Sequence, residues 1–244
     1  MSENLVYGRH PVLALLRERA RRADEVAVLT GAGGPLGEVV ALARRAGVKV
    51  SYRTRDQLDA IAGSPHHQGV VARVASAEYL DLPALQQIPR DRGETPFFLA
   101  LDQVQDPRNL GALLRTADAF GVHGVIVPKH RQVGVTASAA RTAMGAVESV
   151  PVTRETNLVG ALEALKKSGV WVYGGVIDGG VPLWGTDLSG PLCLVLGGEG
   201  DGLRPLVARA CDVLVSIPMA GRVGSLNVSA AGAVLCYEVA RQRA

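Results

Sequence analysis

Aromatic residues are scarce in this sequence, and long apolar runs are absent. Phe, Trp and Tyr make up 4% of the 244 residues, too few for an extended platform on which successive bases could stack. No apolar run approaches the roughly 18 residues that a membrane span requires. The first residues, Met-Ser-Glu-Asn, lack the basic-then-apolar order of a secretory signal. We therefore expect a cytoplasmic protein with no membrane partner.

Cysteine is also rare. Cys193, Cys211 and Cys236 lie far apart, each within an apolar run. No Cys or His pair has the spacing of a zinc site, and the neighbouring His66 and His67 would point in different directions on a strand. The pattern predicts buried free thiols, no metal site, and a histidine loop that contacts RNA or a partner domain.

Two blocks of alternating helices and strands flank an irregular stretch. Residues 1–75 have the pattern of a small α/β domain, and residues 96–244 alternate strands with helices, which predicts a parallel sheet covered on both faces. Residues 76–95 between them have no sustained periodicity and contain prolines and a glycine. This composition predicts a linker with room for a short helical turn at 82–88.

Hydrophobic periodicity predicts where the elements lie. Helices are predicted at residues 9–22, 36–46, 55–61, 108–120, 136–146, 157–168, 203–210 and 225–241. Strands are predicted at residues 25–29, 48–52, 69–74, 97–102, 124–127, 171–176, 192–197 and 213–217.

Positive charge is concentrated in the first block. Residues 1–75 hold 11 Lys and Arg against 7 Asp and Glu, whereas residues 76–244 hold 15 against 16. The resulting net charges of +4 and −1 suit a first domain that meets phosphates. A solvated basic face would explain the same numbers equally well.

A loop near the end of the chain has the features of a ligand site. The apolar run 213–217 breaks at a proline, passes two glycines and enters a helix-compatible segment that begins with Ser225 and Asn227. Such a loop leaves main-chain N–H and C=O groups unpaired, and both side chains can cap the following helix. An ordinary strand–loop–helix connection has the same pattern, so this segment alone decides nothing.

Two further segments narrow the choice. Residues 101–117 read LDQVQDPRNLGALLRTA and carry Asn109 and Arg115, and residues 194–203 read LVLGGEGDGL, with four glycines around Glu199. The three motifs, in this order and spacing, resemble the SpoU (TrmH) family of RNA ribose 2′-O-methyltransferases. The segments YGRHPVLALL, which begins at Tyr7, and HQGVV, which begins at His67, are similar to the branch that methylates a guanosine of large-subunit ribosomal RNA.

The resemblance implies two domains and a cofactor. Residues 1–75 would form an RNA-binding domain similar to ribosomal protein L30e, and residues 96–244 a SPOUT α/β domain with a parallel sheet and a deep trefoil knot. It also implies S-adenosylmethionine as the cofactor, 23S rRNA as the substrate and a homodimer. Two alternatives stay open: a tRNA or antibiotic-resistance rRNA substrate for the same chemistry, and a non-catalytic RNA-binding factor in ribosome assembly.

Methyl transfer to a ribose needs a methyl donor held in line and a 2′-hydroxyl that loses its proton. By the resemblance, cofactor contacts are expected at Gly197, Gly198, Gly200, Ile217, Met219 and Leu226. The catalytic group is expected to comprise Asn109, Arg115, Glu199, Ser225 and Asn227.

The role of Arg115 has two readings. It follows Asn109 by six residues, so on a regular helix the two side chains would point about 120° apart. They could converge if Asn109 lies at the helix start, outside regular geometry. In the family the matching arginine is assigned to activating the ribose hydroxyl, but a guanidinium holds its proton at neutral pH. It could instead orient the substrate through a bidentate contact with a phosphate.

Glu199 and Ser225 also leave alternatives open. Glu199 could accept a hydrogen bond from Asn109 or from the bound nucleotide, or could pair with Arg115. Ser225 and Asn227 could contact the ligands, cap the helix, or do both. Ser225 has no histidine at motif spacing, which argues against a hydrolase nucleophile. The small residues at 230–233 predict either tight packing of the last helix or a dimer interface.

Overall fold

A computed structural model of the protein describes residues 5–18, 20, 23–31, 34–74, 79–128, 135, 137–198, 200 and 202–244. Its helices are α1 (Arg9–Glu18), α2 (Pro35–Arg45), α3 (Arg55–Ala62), α4 (Leu82–Arg92), α5 (Pro107–Ala119), α6 (Ala137–Ala143), α7 (Ala146–Ser149), α8 (Leu158–Lys167), α9 (Pro205–Ala210) and α10 (Val228–Gln242). Its strands are β1 (Leu5–Tyr7), β2 (Ala23–Leu29), β3 (Lys49–Arg53), β4 (Val70–Val74), β5 (Phe97–Asp102), β6 (Gly124–Pro128), β7 (Val152–Glu155), β8 (Trp171–Val176), β9 (Val181–Pro182), β10 (Leu192–Gly197) and β11 (Val213–Ser216). No helix in these ranges is long and apolar enough to cross a membrane.

The packing of the main chain divides the protein into two units. The first comprises Met1–Glu78 and Val135–Ser149, and the second comprises Tyr79–Gly134 and Val150–Ala244. Residues 135–149, which the sequence pattern assigned to the C-terminal domain, therefore pack with the N-terminal residues.

The first unit contains a four-stranded sheet in the order β1-β4-β2-β3, with β4 antiparallel to both of its neighbours. Successive side chains of a strand point to opposite faces. Accordingly Val26 and Val28 belong to the core formed with α1 and α2, whereas Ala27 packs with Leu58 of α3. The short strand β1 was not predicted, because three residues carry too little periodicity to be recognised without their partner strand.

The segment that begins at His67 holds the first unit together. His67 is buried; its Nδ1 accepts from the Gly69 N–H at 2.9 Å, and its Nε2 lies 3.0 Å from Asp59 Oδ1. Gln68 Oε1 accepts from the N–H of Arg9, the first residue of α1, at 2.9 Å. The expected contact of this loop with RNA or a partner domain stays a prediction, whereas both side chains have a structural role inside their own unit.

Helices α6 and α7 complete the first unit. Arg141 of α6 lies over the Tyr7 ring, 4.4 Å from its centroid, and a Cβ atom on Gly145 would lie 2.9 Å from Ala14 Cβ. The predicted single helix at 136–146 is interrupted because Met144 and Gly145 have φ values of 50° and 100°. Residues in this left-handed region cannot continue a right-handed helix.

The second unit contains a seven-stranded sheet in the order β7-β6-β5-β10-β8-β11-β9, and its paired strands are parallel. All six residues of β5 are buried, as expected when helices cover both faces of a parallel sheet. Helices α4, α8 and α9 contribute to the core on one face. On the other face α5 and α10 pack against each other. The short strands β7 and β9 were not predicted.

Helix α4 occupies part of the predicted linker. Asp81 caps it by accepting from the Ala84 N–H at 2.8 Å, and Leu85 is fully buried. A Cβ atom on Gly124 would lie 2.2 Å from Leu85 Cδ1, so the helix packs directly on β6. The short helical turn expected at 82–88 is present, but the helix continues to Arg92. Pro89 weakens the helical signal in the sequence although the helix continues through it. Residues 76–78 lie outside the described ranges.

A glycine allows helix α10 to pack closely against α5 and β10 of the second unit. A Cβ atom on Gly232 would lie 2.4 Å from Leu113 Cδ2 of α5 and 2.9 Å from Leu196 Cδ1 of β10. Of the two explanations left open for the small residues at 230–233, tight packing within the chain therefore accounts for Gly232.

Arg243 connects the end of α10 to the start of two strands. Its guanidinium donates to the carbonyl oxygens of Thr95 and Pro96 at 3.1 Å each, and to that of Gly190 at 2.5 Å. Burial lowers the pKa of Arg243. These carbonyl groups precede β5 and β10, so the contact fixes the amino-terminal edge of the central strands.

We expect Arg243→Ala to lower the free energy of unfolding by about 2 kcal/mol, because three charge-assisted hydrogen bonds are removed and the Pro96 carbonyl keeps only the Leu192 N–H as a donor. Urea denaturation followed by circular dichroism would measure it. Arg241→Ala is the matched control, since Arg241 of the same helix is 57% exposed and pairs with the nearby Glu238. Equal midpoints for the two variants would contradict the proposed role of Arg243.

Candidate active site

A cavity of about 560 Å³ opens at the carboxyl edge of the parallel sheet, where β8, β10 and β11 end. Ligand sites of α/β proteins commonly lie at this edge. Its wall includes all six residues for which the resemblance implied cofactor contacts, and Ser225 and Asn227 of the catalytic set: Gly197, Gly198, Gly200, Ile217, Met219, Ser225, Leu226 and Asn227. The functional roles of these residues stay predictions.

The first part of the wall is the glycine loop, which we define as residues 197–203. A Cβ atom on Gly197 would lie 2.1 Å from the carbonyl carbon of Gly202, and one on Gly198 would lie 2.3 Å from Gln103 O. The loop therefore folds back over its own start and lies directly on the β5–α5 connection. No residue larger than glycine fits at either position without moving the main chain.

The second part of the wall is the last loop, which we define as residues 217–227. From Pro218 to Leu226 the main chain makes no hydrogen bond to another described residue, so its N–H and C=O groups are available to a ligand or to water. Ile217, Met219 and Leu226 add apolar surface to the cavity. The combination suits a small molecule with one apolar and one polar part.

Asn227 joins the last loop to α5. Its Nδ2 donates to Asn109 Oδ1 at 3.1 Å, while its Oδ1 accepts from the Ser229 N–H at 2.9 Å. Asn227 is thus the N-cap, and α10 begins at Val228 rather than at the predicted Ser225. Of the two predicted caps, Asn227 fills this role and Ser225 does not.

Asn109 and Arg115 both belong to α5 but differ in exposure. Asn109 is buried and lies within the first turn of the helix, which begins at Pro107. It is therefore inside the helix, contrary to the geometry that would let it converge with Arg115. Arg115 is exposed and is not part of the cavity wall. Glu199 lies outside the described residues.

The residues that sequence reasoning missed are Asp102 and Arg204. Asp102 ends β5 and is completely buried. Its Oδ1 accepts from Arg204 Nε at 2.7 Å, and its Oδ2 accepts from the Arg204 main-chain N–H at 2.9 Å. An acidic residue at the end of an apolar strand was the available signal, but nothing in the sequence indicates its partner.

The cysteines are free thiols, as predicted; Cys193 and Cys236 are buried as expected, whereas Cys211 is partly exposed. Burial raises the pKa of Cys193, and it raises the pKa values of Cys211 and Cys236 to about 12. Because the thiolate is the reactive form of cysteine, these side chains are poor nucleophiles at neutral pH. Within the part of the chain that the structure describes, no cluster of His, Cys, Asp and Glu has the arrangement of a metal site.

Comparison with known proteins accounts for both units. Residues 96–237 match the SpoU rRNA Methylase family, and residues 5–80 match the family described as RNA 2′-O ribose methyltransferase substrate binding. The 23S rRNA (guanosine-2′-O-)-methyltransferases RlmB of Shewanella oneidensis and Yersinia pestis are 43% and 44% identical to the chain. The alignments cover 99% and 100% of this chain, and 98% of each relative.

A solved structure supports the same relationship. The AdoMet-bound rRNA methyltransferase from Sinorhizobium meliloti has a TM-score of 0.82 and 27% identity, covering 98% of this chain and 87% of that one. The fold, with its parallel sheet and the cavity at its carboxyl edge, is that of the SPOUT class of methyltransferases. Within that class, the chain belongs to the SpoU rRNA methylase family.

Proposed function

We propose that the protein transfers a methyl group from S-adenosylmethionine to the ribose 2′-oxygen of a guanosine in 23S rRNA. The observation that carries the proposal is one cavity whose wall combines the glycine loop with the last loop, and which Asn227 connects to Asn109 of α5. The full-length relatives named 23S rRNA (guanosine-2′-O-)-methyltransferase support this choice of substrate.

The residues of the cavity fit S-adenosylmethionine. A volume of about 560 Å³ lies within the usual range for small-molecule sites. Ile217, Met219 and Leu226 offer apolar contact to an adenine ring, and the unpaired main-chain groups of the last loop offer donors and acceptors. When bound, S-adenosylmethionine supplies a methyl group activated by a positively charged sulfur.

The chain itself has to hold both reactants in line and provide for the proton of the 2′-hydroxyl. Methyl transfer would exchange the carbon–sulfur bond of the donor for a carbon–oxygen bond to the ribose, with the hydroxyl proton passing to a basic group or to solvent water. Asn109 and Asn227 fix the start of α5 against the cavity wall. Arg115 is exposed and a guanidinium stays charged at neutral pH, so we assign to it a contact with a phosphate of the RNA.

The test is labelled methyl transfer to protein-free 23S rRNA, assembled large subunits and tRNA in parallel, followed by nuclease mapping. We expect label on the ribose of a guanosine in 23S rRNA, and loss of that 2′-O-methyl mark in cells without the gene. Label on tRNA alone, or on a base, would contradict the proposal. Absence of transfer to any RNA, with RNA binding retained, would favour the alternative of a non-catalytic assembly factor.

We further propose that residues 1–75 recognise RNA and that residues 96–244 hold the cofactor. The match to a substrate-binding family and the net charge of +4 in residues 1–75 support this division. A truncation is a poor test, because residues 135–149 belong to the first unit and α4 belongs to the second. Substitutions in the whole chain avoid this difficulty.

The triple variant Arg44→Gln, Arg45→Gln and Arg55→Gln removes three exposed charges from the first unit. We expect weaker rRNA binding and a salt dependence reduced by roughly 1 in logarithmic slope for each phosphate that the variant no longer neutralises. Affinity for S-adenosylmethionine should not change. Filter binding at several salt concentrations measures the change in RNA affinity, and calorimetry measures the affinity for S-adenosylmethionine.

Lys167→Gln, at an exposed position of the second unit, is the control. An equally large decrease in RNA affinity in this variant would refute the division of roles between the two parts of the chain.

A cytoplasmic homodimer with a knotted C-terminal domain completes the proposal. An exposed apolar surface on α10 supports the dimer, since Val234 and Tyr237 are 39% and 56% exposed. The Tyr237 ring meets Phe120 edge-on at 6.2 Å. Sedimentation should give twice the chain mass, and Tyr237→Glu should shift it toward the monomer.

A further inference from the structure

Asp102 holds the glycine loop from both of its ends. It pairs in register with Gly197, the first residue of the loop, where β5 and β10 end side by side. The chain then passes through the loop and returns at Arg204, whose main-chain N–H and Nε both donate to the Asp102 carboxylate. The loop therefore leaves the sheet beside Asp102 and comes back to the same side chain.

The loop between these two points is a closed turn. Gly198 and Gly202 form an antiparallel bridge, and Gly197, Gly198, Gly200 and Gly202 all line the cavity. Glycine residues have no side chains whose packing could fix their positions. The four glycines of this wall are therefore positioned by main-chain contacts and by the attachment of the two ends of the loop, and the end at Arg204 is held by the carboxylate of Asp102.

The chemistry of this interaction is specific for a carboxylate. Asp102 is completely buried, whereas the Arg204 side chain is 39% exposed. A buried carboxylate is tolerated when charge-assisted hydrogen bonds satisfy its oxygens. An asparagine of the same size would turn an N–H₂ group toward one of the two Arg204 donors, so one of the two bonds would be replaced by a repulsive contact.

We propose that Asp102 is a positioning residue for the methyl-donor site, acting through Arg204 on the glycine loop without touching the donor. This rests on the proposed function, because it assigns S-adenosylmethionine to the cavity that the loop lines. Breaking the Asp102–Arg204 pair should weaken donor binding and leave RNA binding unchanged, since the RNA contacts are proposed for the first unit and for Arg115. A purely structural role would lower stability without separating the two substrates.

The experiment measures donor affinity by calorimetry and the two KM values by labelled methyl transfer in the whole protein. We expect Asp102→Asn and Arg204→Gln each to raise the Kd and KM for S-adenosylmethionine at least 10-fold. The KM for rRNA should stay within 2-fold of the wild type. The double variant should bind the donor no more weakly than the more impaired of the two single variants, because both substitutions remove the same ion pair.

Arg241→Gln is the control, since it breaks the surface pair with Glu238 in the same unit and should change neither KM. Unchanged donor affinity in Asp102→Asn, with wild-type protein binding normally, would overturn the positioning role and leave the proposed function intact. If Asp102→Asn shows no cooperative unfolding, the donor affinity of Arg204→Gln decides the question instead. This variant keeps the hydrogen bond from the Arg204 main-chain N–H to Asp102. Wild-type protein that binds no S-adenosylmethionine would overturn the proposed function and this assignment with it.

Discussion

Replacing Arg115 by alanine should remove most methyl transfer while leaving S-adenosylmethionine binding intact. Arg115 is exposed on α5 and is not part of the cavity wall, so the substitution deletes no side chain of the proposed donor site. If Arg115 assists proton transfer, its side chain typically contributes about 10²- to 10⁴-fold in rate; if it orients the RNA, its loss slows transfer by misplacing the 2′-hydroxyl. We expect the single-turnover rate of methyl transfer to decrease by a factor in this range, while the calorimetric Kd for the donor stays constant.

Arg115→Lys distinguishes the two readings of the role of this residue. Lysine keeps the charge but lacks the planar pair of donors that binds a phosphate bidentately. If Arg115 orients the RNA, the alanine variant should raise the KM for rRNA and lysine should restore it in part. If it activates the hydroxyl, turnover at saturating rRNA should stay low in both variants.

The control for both variants is Arg209→Ala, an exposed arginine of α9 whose Nε donates to the Pro205 carbonyl. It should behave as the wild type. Near-normal turnover in Arg115→Ala would exclude Arg115 from the reaction, and a weakened donor Kd would show that catalysis and cofactor binding are not separable at this position.

Strands buried on both faces were predictable because their signal is local. β5 and β10 are continuous apolar runs, and their predicted bounds agree with Phe97–Asp102 and Leu192–Gly197. The short strands β1, β7 and β9 have two to four residues each, and their identity depends on pairing with a neighbour. Helix α4 was obscured for a related reason: burial of Leu85 against β6 outweighs the local cost of Pro89.

The site was predictable to the extent that its residues are adjacent in sequence. The glycine loop and the last loop are each recognisable from their composition, and the structure brings both to one cavity. The hydrogen bond between Asn109 and Asn227 joins residues 118 apart, and that between Asp102 and Arg204 joins residues 102 apart. Such interactions follow from strand order, which the periodicity of the chain does not specify.

Substituting Gly198 by alanine should weaken S-adenosylmethionine binding by about 10- to 100-fold. A Cβ atom at this position would lie 2.3 Å from Gln103 O and 2.9 Å from Gln103 C. Both are main-chain atoms, and Gln103 is already held at a φ of 66°. The main chain at Gln103 and at Gly198 therefore cannot move apart without a substantial cost in free energy. Overpacking of this kind typically costs about 1–3 kcal/mol, and we expect most of it to appear as displacement of the glycine loop.

Gly221→Ala is the matched control, because it changes a glycine of the last loop to the same residue where an added Cβ meets no atom within 4 Å. Calorimetry with S-adenosylmethionine should give wild-type affinity for this variant and a roughly 10- to 100-fold weaker Kd for Gly198→Ala, by the free-energy conversion of the steric cost. Thermal unfolding of both variants shows whether the effect is confined to the loop. The alanine side chain cannot fit at position 198 unless the glycine loop moves. Wild-type donor affinity in Gly198→Ala would therefore mean that the glycine loop does not form part of the donor site.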